Sequence, residues 1–200
     1  AAAESQIVTA VQQAGGQAIV TDPGLPSGSD RIAQAISLRD PDRKYRFVVN
    51  LQGDLPLIAP ADIIRCLEPF RRKGVGITTL VCKITDDAEV EDPNVVKAIL
   101  EPADDNGVSL ASDFVRQLPA DAQSPFWHHV GIYAYRRDVL EQFVNLPVSE
   151  RERERKLEQM RALDNGITIA AARVDTIPFG IDTPADLERA RREMTAAQGA

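Results

Sequence analysis

Phe47-Val-Val-Asn-Leu-Gln-Gly-Asp54-Leu-Pro56 is the stretch on which the fold turns. Phe47 to Leu51 is a compact apolar run, the pattern of a strand buried on both faces. It stops abruptly at Gln52-Gly53-Asp54. In open α/β sheets, ligands bind beyond the carboxyl ends of the strands. Asp54 stands just past such an end, and Gly53 lets the backbone turn or approach a ligand closely. A carboxylate there can hold Mg²⁺, which takes oxygen ligands and substrate phosphates. It can equally cap the turn before Pro56.

On either side the chain alternates helices and strands. Ile7, Val8, Val11 and Ala14 share a helical face that Gly15-Gly16 ends. Gln17 to Thr21 reads as a short buried strand. A Pro-, Gly- and Ser-rich loop leads to a helix capped by Ser29 or Asp30, with Ile32, Ala35 and Ile36 inward. Pro60 opens a helix running to about Arg72, with Gly74 beyond its end. Val75 to Ile84, Val95 to Leu100 and Trp127 to Tyr135 are strand candidates. The strand-rich stretch from Val75 to Tyr135 can add antiparallel strands to the sheet or form a dimerisation arm. Ser149 and Glu152 match a capping box for a helix reaching about Leu163. Asn165-Gly166 turns the chain into a strand from Ile167 to Val174. Thr183 caps the last helix, with Pro184 at its first position. The expectation is a single α/β domain over residues 1–200, with an open, mostly parallel sheet, helices on both faces and a few antiparallel strands.

Composition narrows the function. With 44% hydrophobic and 26% charged residues, the chain has the balance of a soluble globular protein. A formal net charge of −7 argues against a sequence-independent grip on nucleic acid. Cys66 and Cys82 form no metal-ligand pattern and read as reduced core residues. Residues 1–6 have neither a basic start nor an apolar run, so no secretory signal is read there. No stretch has the length and apolarity of a membrane span. The expected compartment is the cytoplasm.

Further motifs bear on chemistry. In Phe179-Gly-Ile-Asp182-Thr-Pro-Ala-Asp186, capping accounts for Thr183, Pro184 and Asp186 but leaves Gly180 and Asp182 unexplained. A carboxylate before a helix N-terminus is well placed for a metal-bound phosphate. Asp54 and Asp182 would share one Mg²⁺ if their strand ends are neighbours, which serves nucleotidyl transfer. The loop from Pro26 to Arg31 offers amides and hydroxyls to a base or a phosphate, though such loops commonly do no more than lead into a helix. His129, Gly131 and Tyr133 alternate onto one face of a strand and can hydrogen-bond a hydroxylated substrate; a half-exposed strand with satisfied polar tips is the plainer reading. The charged run from Glu150 to Lys156 reads as a solvated helix face.

In order, Ser-Gly-Ser-Asp-Arg (27–31), Val-Asn-Leu-Gln-Gly-Asp-Leu-Pro (49–56), Asp-Pro-Asn-Val-Val-Lys (92–97), His-Val-Gly-Ile-Tyr-Ala-Tyr-Arg (129–136), Leu-Glu-Gln-Met-Arg (157–161) and Gly-Ile-Asp-Thr-Pro-Ala-Asp-Leu-Glu (180–188) resemble the 3-deoxy-manno-octulosonate (KDO) cytidylyltransferase, or CMP-KDO synthetase, family. The resemblance covers nearly the whole chain. It implies a nucleotide-diphospho-sugar transferase fold, CTP and KDO as substrates, Mg²⁺ as cofactor, a homodimer and a role in lipopolysaccharide synthesis. It implies that Asp54 and Asp182 are the catalytic metal carboxylates, and that Ser27, Gly28 and Ser29 lie by the cytosine and ribose. Gln52, at the nucleotide's edge, would line the KDO pocket with His129, Tyr133, Glu158 and Gln159.

Two departures accompany the resemblance. The family's opening loop, Pro-Ala-Arg-x-x-Ser-x-Arg-Leu-x-x-Lys, which grips the triphosphate, has no counterpart here, so the expectation is an N-terminally incomplete domain that needs that segment for turnover. The family's Tyr-Phe-Ser-Arg stands as Asp113-Phe114-Val115-Arg116. Alternatives are another sugar nucleotidyltransferase, such as an acylneuraminate enzyme, or a non-catalytic nucleotide-binding domain. The Asp-Thr-Pro-x-Asp-Leu and His-x-Gly-Ile-Tyr motifs favour KDO.

Overall fold

The computed structural model describes residues 1–119, 121–181 and 183–198. In chain order the first elements are α1 (Ser5–Gln13), α2 (Gly28–Arg39), β1 (Phe47–Asn50), α3 (Pro60–Leu67), β2 (Ile77–Lys83), α4 (Asp87–Glu91) and β3 (Lys97–Leu100). They continue as β4 (Val108–Val115), β5 (Trp127–Arg136), α5 (Arg137–Val144), α6 (Glu150–Arg155), α7 (Gln159–Asp164), β6 (Ile169–Val174) and α8 (Pro184–Gln198). These form two compact units: Ala1–Asn50 with Tyr135–Pro147, and Leu51–Ala134 with Val148–Ala200.

In the smaller unit α2 packs on α5. Ser27 is the N-cap of α2, accepting from Asp30 N–H (3.2 Å) while its hydroxyl donates to Asp30 Oδ2 (2.6 Å). The cap therefore falls before the expected Ser29 or Asp30. The Ser29 side chain instead turns inward, fully buried, 3.3 Å from the Tyr135 hydroxyl. Inside α2 the buried side chains are Ala33 and Ala35, while Ile32 and Ile36 are only partly covered.

Two strand expectations fail here. Gln17 to Thr21 makes a single bridge, Ala2 with Val20, rather than a ladder, because the chain beyond Ala2 turns into α1. Val20 is accordingly exposed. The stretch Phe47–Leu51 is not buried on both faces: β1 ends the strand order, and Phe47 and Leu51 are 38% and 44% exposed. Phe47 is screened instead by the guanidinium groups of Arg46 and Arg136, 6.0 and 5.6 Å from its ring. The apolar run is a half-covered edge.

The larger unit holds the core. Its strands run in the order β5-β2-β6-β4-β3. β2 and β6 are parallel, from Ile77 opposite Ile169 to Cys82 opposite Val174. β4 joins antiparallel to β6, and β3 antiparallel to β4. β3 also meets β5 antiparallel, with Lys97 opposite His128. The α/β architecture and the added antiparallel strands are thus as expected, although β4 was not among the strand candidates. Ser112 and Asp113 in its middle disguise its apolar alternation.

Residues 77–82 of β2 are all buried between neighbouring strands and α3. Ala170, Ala171 and Ala172 keep both faces of β6 small, and α3 packs against one of them. Leu80 and Ile132 are fully buried, each contributing roughly 1.5–3 kcal/mol by leaving water. Burial pushes the Cys66 thiol up to about 12, against the opposing Thr78 and Ala134 hydrogen bonds, and neither cysteine is in a disulfide.

The long helix expected after Ser149 is broken. Ser149 and Glu152 form the capping box, but Lys156 is left-handed (φ 56°) and separates α6 from α7. Arg161 forks onto Glu152 at 2.7 and 2.6 Å, which requires the chain to fold back between them, and the bend buries Leu157 and Met160. At the other end Thr183 and Asp186 cap α8 as read from the sequence: Thr183 N–H donates to Asp186 Oδ2 (2.9 Å), and Asp186 N–H donates to Thr183 Oγ1 (3.2 Å). Among the described residues no helix is long and apolar enough to cross a membrane.

Candidate active site

The chain leaves β1 through Gln52-Gly53-Asp54, a turn that exposes the Asp54 side chain. The Asp54 carbonyl accepts a hydrogen bond from Ile181 N–H at 2.8 Å. This bond joins the two loops that carry the acidic motifs, which the sequence could not do. Asp182, the next residue, lies outside the described residues.

Beside this junction is a cleft of about 310 Å³ lined by Asp54, Leu55, residues 128–131 of β5, Ile177, Pro178, Gly180 and Asp186. Its walls come from three places: the turn after β1, the first half of β5, and the chain from the loop after β6 into the first turn of α8. Asp54 and His129 therefore share one cleft. The sequence reading of Asp186 as a cap is correct, but the residue also lines the cleft. Leu55, Ile177 and Pro178 carried no sequence signal, because apolar residues beside a motif look like any loop filler.

The His129 ring is held on three sides. Phe114 meets it edge-on (5.1 Å, 77°) and Tyr133 tilts against it at 5.3 Å. The buried Thr79 Oγ1 stands 3.1 Å from Nε2, 2.8 Å from Ile132 O and 3.1 Å from Val130 O. A hydroxyl has one proton, and the shortest contact directs it to the Ile132 carbonyl. Oγ1 is then the acceptor, Nε2–H the donor, and Nδ1 keeps the lone pair. Burial first, and His128 beside it second, push the His129 imidazole down to about 3. Between its ordinary value of 6.5 and about 3, the unfolded chain takes up a proton that the folded ring refuses. Stability linked to His129 is therefore complete above pH 6.5 and drains away toward pH 3. The expected result is a His129 Cε1 resonance that does not move between pH 8 and 5; a midpoint near 6.5 would contradict the enclosed neutral ring.

Asp113-Phe114-Val115-Arg116 is structural in this cleft's surroundings. Phe114 backs His129, and Asp113 accepts from Arg155 (2.7 Å) and Arg151 (3.3 Å), tying α6 to β4. Gln52 is partly buried at the turn. Glu158 and Gln159 lie at the start of α7, which packs on β4; neither lines the cleft. Ser27, Gly28 and Ser29 belong to the smaller unit, with Gly28 exposed, Ser27 partly covered and Ser29 buried.

The donor set suits Mg²⁺. Asp54 is an exposed carboxylate at the cleft edge, a hard oxygen donor of the kind Mg²⁺ takes, and Mg²⁺ needs only one or two of these besides phosphates and water. Among the described residues there is no group of three or more His, Cys, Asp or Glu arranged to hold a metal, which that mode of binding does not require.

Residues 1–169 match the family model described as cytidylyltransferase. The chain is 48% identical to the 3-deoxy-manno-octulosonate cytidylyltransferase of Paramagnetospirillum magneticum, over 98% of this chain and 80% of that one. It is 49% identical to the enzyme of the same name from Rhodospirillum rubrum, over 96% of this chain and 76% of the relative. Among solved structures it resembles CMP:2-keto-3-deoxy-manno-octonic acid synthetase complexed with CTP, with a TM-score of 0.83 and 35% identity over 97% of this chain and 78% of the other. On these matches the chain belongs to the 3-deoxy-manno-octulosonate cytidylyltransferase family.

Proposed function

We propose that this chain carries the site for cytidylyl transfer from CTP to KDO in lipopolysaccharide synthesis. The anomeric hydroxyl of KDO attacks the α-phosphorus of CTP. A sugar O–P bond forms as the bond from the α-phosphorus to the pyrophosphate oxygen breaks, and the hydroxyl proton is released. CMP-KDO and pyrophosphate are the products.

The observation that supports this reading is the Ile181 N–H to Asp54 C=O bond, which joins the Asp54 turn to the loop of Gly180 and Ile181 beside one cleft. Asp54 and Asp182 would hold Mg²⁺ there. When bound, the ion neutralises phosphate charge and aligns the triphosphate. The chain's own residues orient the acceptor: neutral His129 offers its Nδ1 lone pair, and Tyr133 packs against its ring. By the resemblance, Ser27 and Gly28 of the α2 cap would serve the cytidine. Two unpaired cysteines accord with a reducing cytoplasm, and a homodimer accords with the resemblance.

Pyrophosphate release from CTP tests this, with the chain assayed by itself and fused to the part of the Rhodospirillum rubrum relative that lies outside the matched region. Release is expected with KDO and not with an acylneuraminate, to stop with EDTA and to return with Mg²⁺. Absence of release in both forms, together with no binding of KDO or CTP, would refute the reading.

A further inference from the structure

β2 carries two adjacent buried threonines, and strand alternation turns them to opposite faces of the sheet. Thr78 faces α3: its Oγ1 donates to the Cys66 carbonyl at 2.6 Å and ties the helix to the sheet. Thr79 faces the other way, beside the neighbouring strand β5, where its Oγ1 lies within 3.1 Å of Val130 O, Ile132 O and His129 Nε2. A valine of the same shape would fill this place with no hydroxyl to desolvate. What the hydroxyl adds is a constraint on the ring. If Nε2 were unprotonated, three acceptors would surround a hydroxyl with one proton, and two of those contacts would set lone pair against lone pair. With the proton on Nε2, only one such contact remains. The Nδ1 lone pair is left over, and among the described residues it has no hydrogen-bond partner. Phe114 and Tyr133 hold the ring plane. His129 lines the 310 Å³ cleft, and Thr79 does not.

We propose that Thr79 is a positioning residue for cytidylyl transfer: it holds His129 in the Nε2–H tautomer, so that Nδ1 meets the acceptor sugar as a hydrogen-bond acceptor. The proposal rests on the reading of His129 as a residue of the acceptor side. Thr79 touches no substrate and acts only through the imidazole. The neutrality of the ring, which burial enforces, is what makes the tautomer matter, because a protonated ring would donate from both nitrogens. Without the Thr79 hydroxyl, Nε2–H loses its acceptor. The ring is then free to carry its proton on Nδ1, which turns the open nitrogen from an acceptor into a donor.

Nitrogen NMR of the imidazole rings, together with titration calorimetry against KDO and separately against Mg²⁺ and CTP, tests the assignment. The chain has two histidines, so His128→Phe assigns the His129 signals. At pH 8 the unmutated chain and Thr79→Ser, which keeps the hydroxyl, are expected to show a protonated Nε2 and a bare Nδ1. Thr79→Val is expected to populate Nδ1–H and to bind KDO about tenfold more weakly, the worth of one hydrogen bond. Thr79→Ser stays within about twofold of the parent, and CTP affinity is unchanged in both. A bare Nε2 in the unmutated chain, or parental KDO affinity in Thr79→Val, overturns the proposal while the function stands. Equal loss of KDO and CTP affinity in Thr79→Val would make the hydroxyl merely structural and would overturn it as well. If Thr79→Val fails to fold, the His129 Nδ1 resonance of the unmutated chain still decides: it shifts on adding KDO, and a fixed resonance overturns the proposal. Failure of the unmutated chain to bind KDO refutes the functional reading, and the role of Thr79 with it, whichever tautomer the ring holds.

Discussion

In the fused form of the chain, Asp54→Asn is expected to lower the rate of pyrophosphate release from CTP and KDO by about 10²- to 10³-fold, the scale on which a fixed electrostatic partner of the transferring group matters. The substitution keeps the shape of the side chain and removes its charge. Asp54 is exposed, and its contribution to the loop is through its backbone carbonyl, which still accepts from Ile181 N–H. The fold should therefore survive, with Tm within about 2 °C of the parent, as for most exposed substitutions. Raising Mg²⁺ should recover part of the rate if the lost charge served the ion. Undiminished turnover in Asp54→Asn at ordinary Mg²⁺ would remove Asp54 from the metal site and leave the cleft as a binding surface alone.

Arg137→Met is expected to lower Tm by about 10 °C, because it strands a buried carboxylate. Asp40 is 4% exposed and Arg137 5%. Asp40 Oδ2 accepts from Arg137 Nη1 (2.6 Å) and Tyr45 N–H (2.8 Å), and Oδ1 accepts from Lys44 N–H (2.9 Å). Burial pushes the Asp40 carboxyl up, but the Tyr45 and Lys44 amides and then the Arg137 charge outweigh it and hold it below 3.8. A depressed carboxylate contributes stability that is complete above its unfolded value and is lost as pH falls through the folded one. The parent should thus lose stability below about pH 4, and Arg137→Met should lose less there, having already lost Arg137's share. Adding Asp40→Ala to Arg137→Met should restore part of the Tm, since no unpaired charge then remains. Thermal melts at pH 7 and pH 3.5 check both statements; an unshifted Tm at pH 7 in Arg137→Met would show that the pair contributes nothing.

Much of the fold was legible where its causes are local. The capping boxes at Ser149 and Thr183 formed as read, because a cap needs only a hydroxyl and a carboxylate three residues apart. Gly166 takes positive φ at the turn the sequence marked, and so does Gly74, although α3 ends at Leu67 rather than near Arg72. β2 and β5 announced themselves by their apolar β-rich runs. Three features were illegible for one reason. Residues 17–21 lacked a strand partner, the apolar run of β1 fell at an edge, and the helix after Ser149 broke at Lys156 to let Arg161 reach Glu152. Each depends on what lies opposite, which periodicity does not encode.

The candidate site divides in the same way. By itself the sequence determined which side chains are available: acidic residues just past strand ends, a histidine on a strand face, and the motif order that marks the family. Only the tertiary structure decided that the Asp54 turn is hydrogen-bonded to Ile181 and that Thr79 sets the His129 tautomer. A motif is a property of neighbours along the chain, whereas a hydrogen bond between residues dozens of positions apart exists only once the sheet has brought them together.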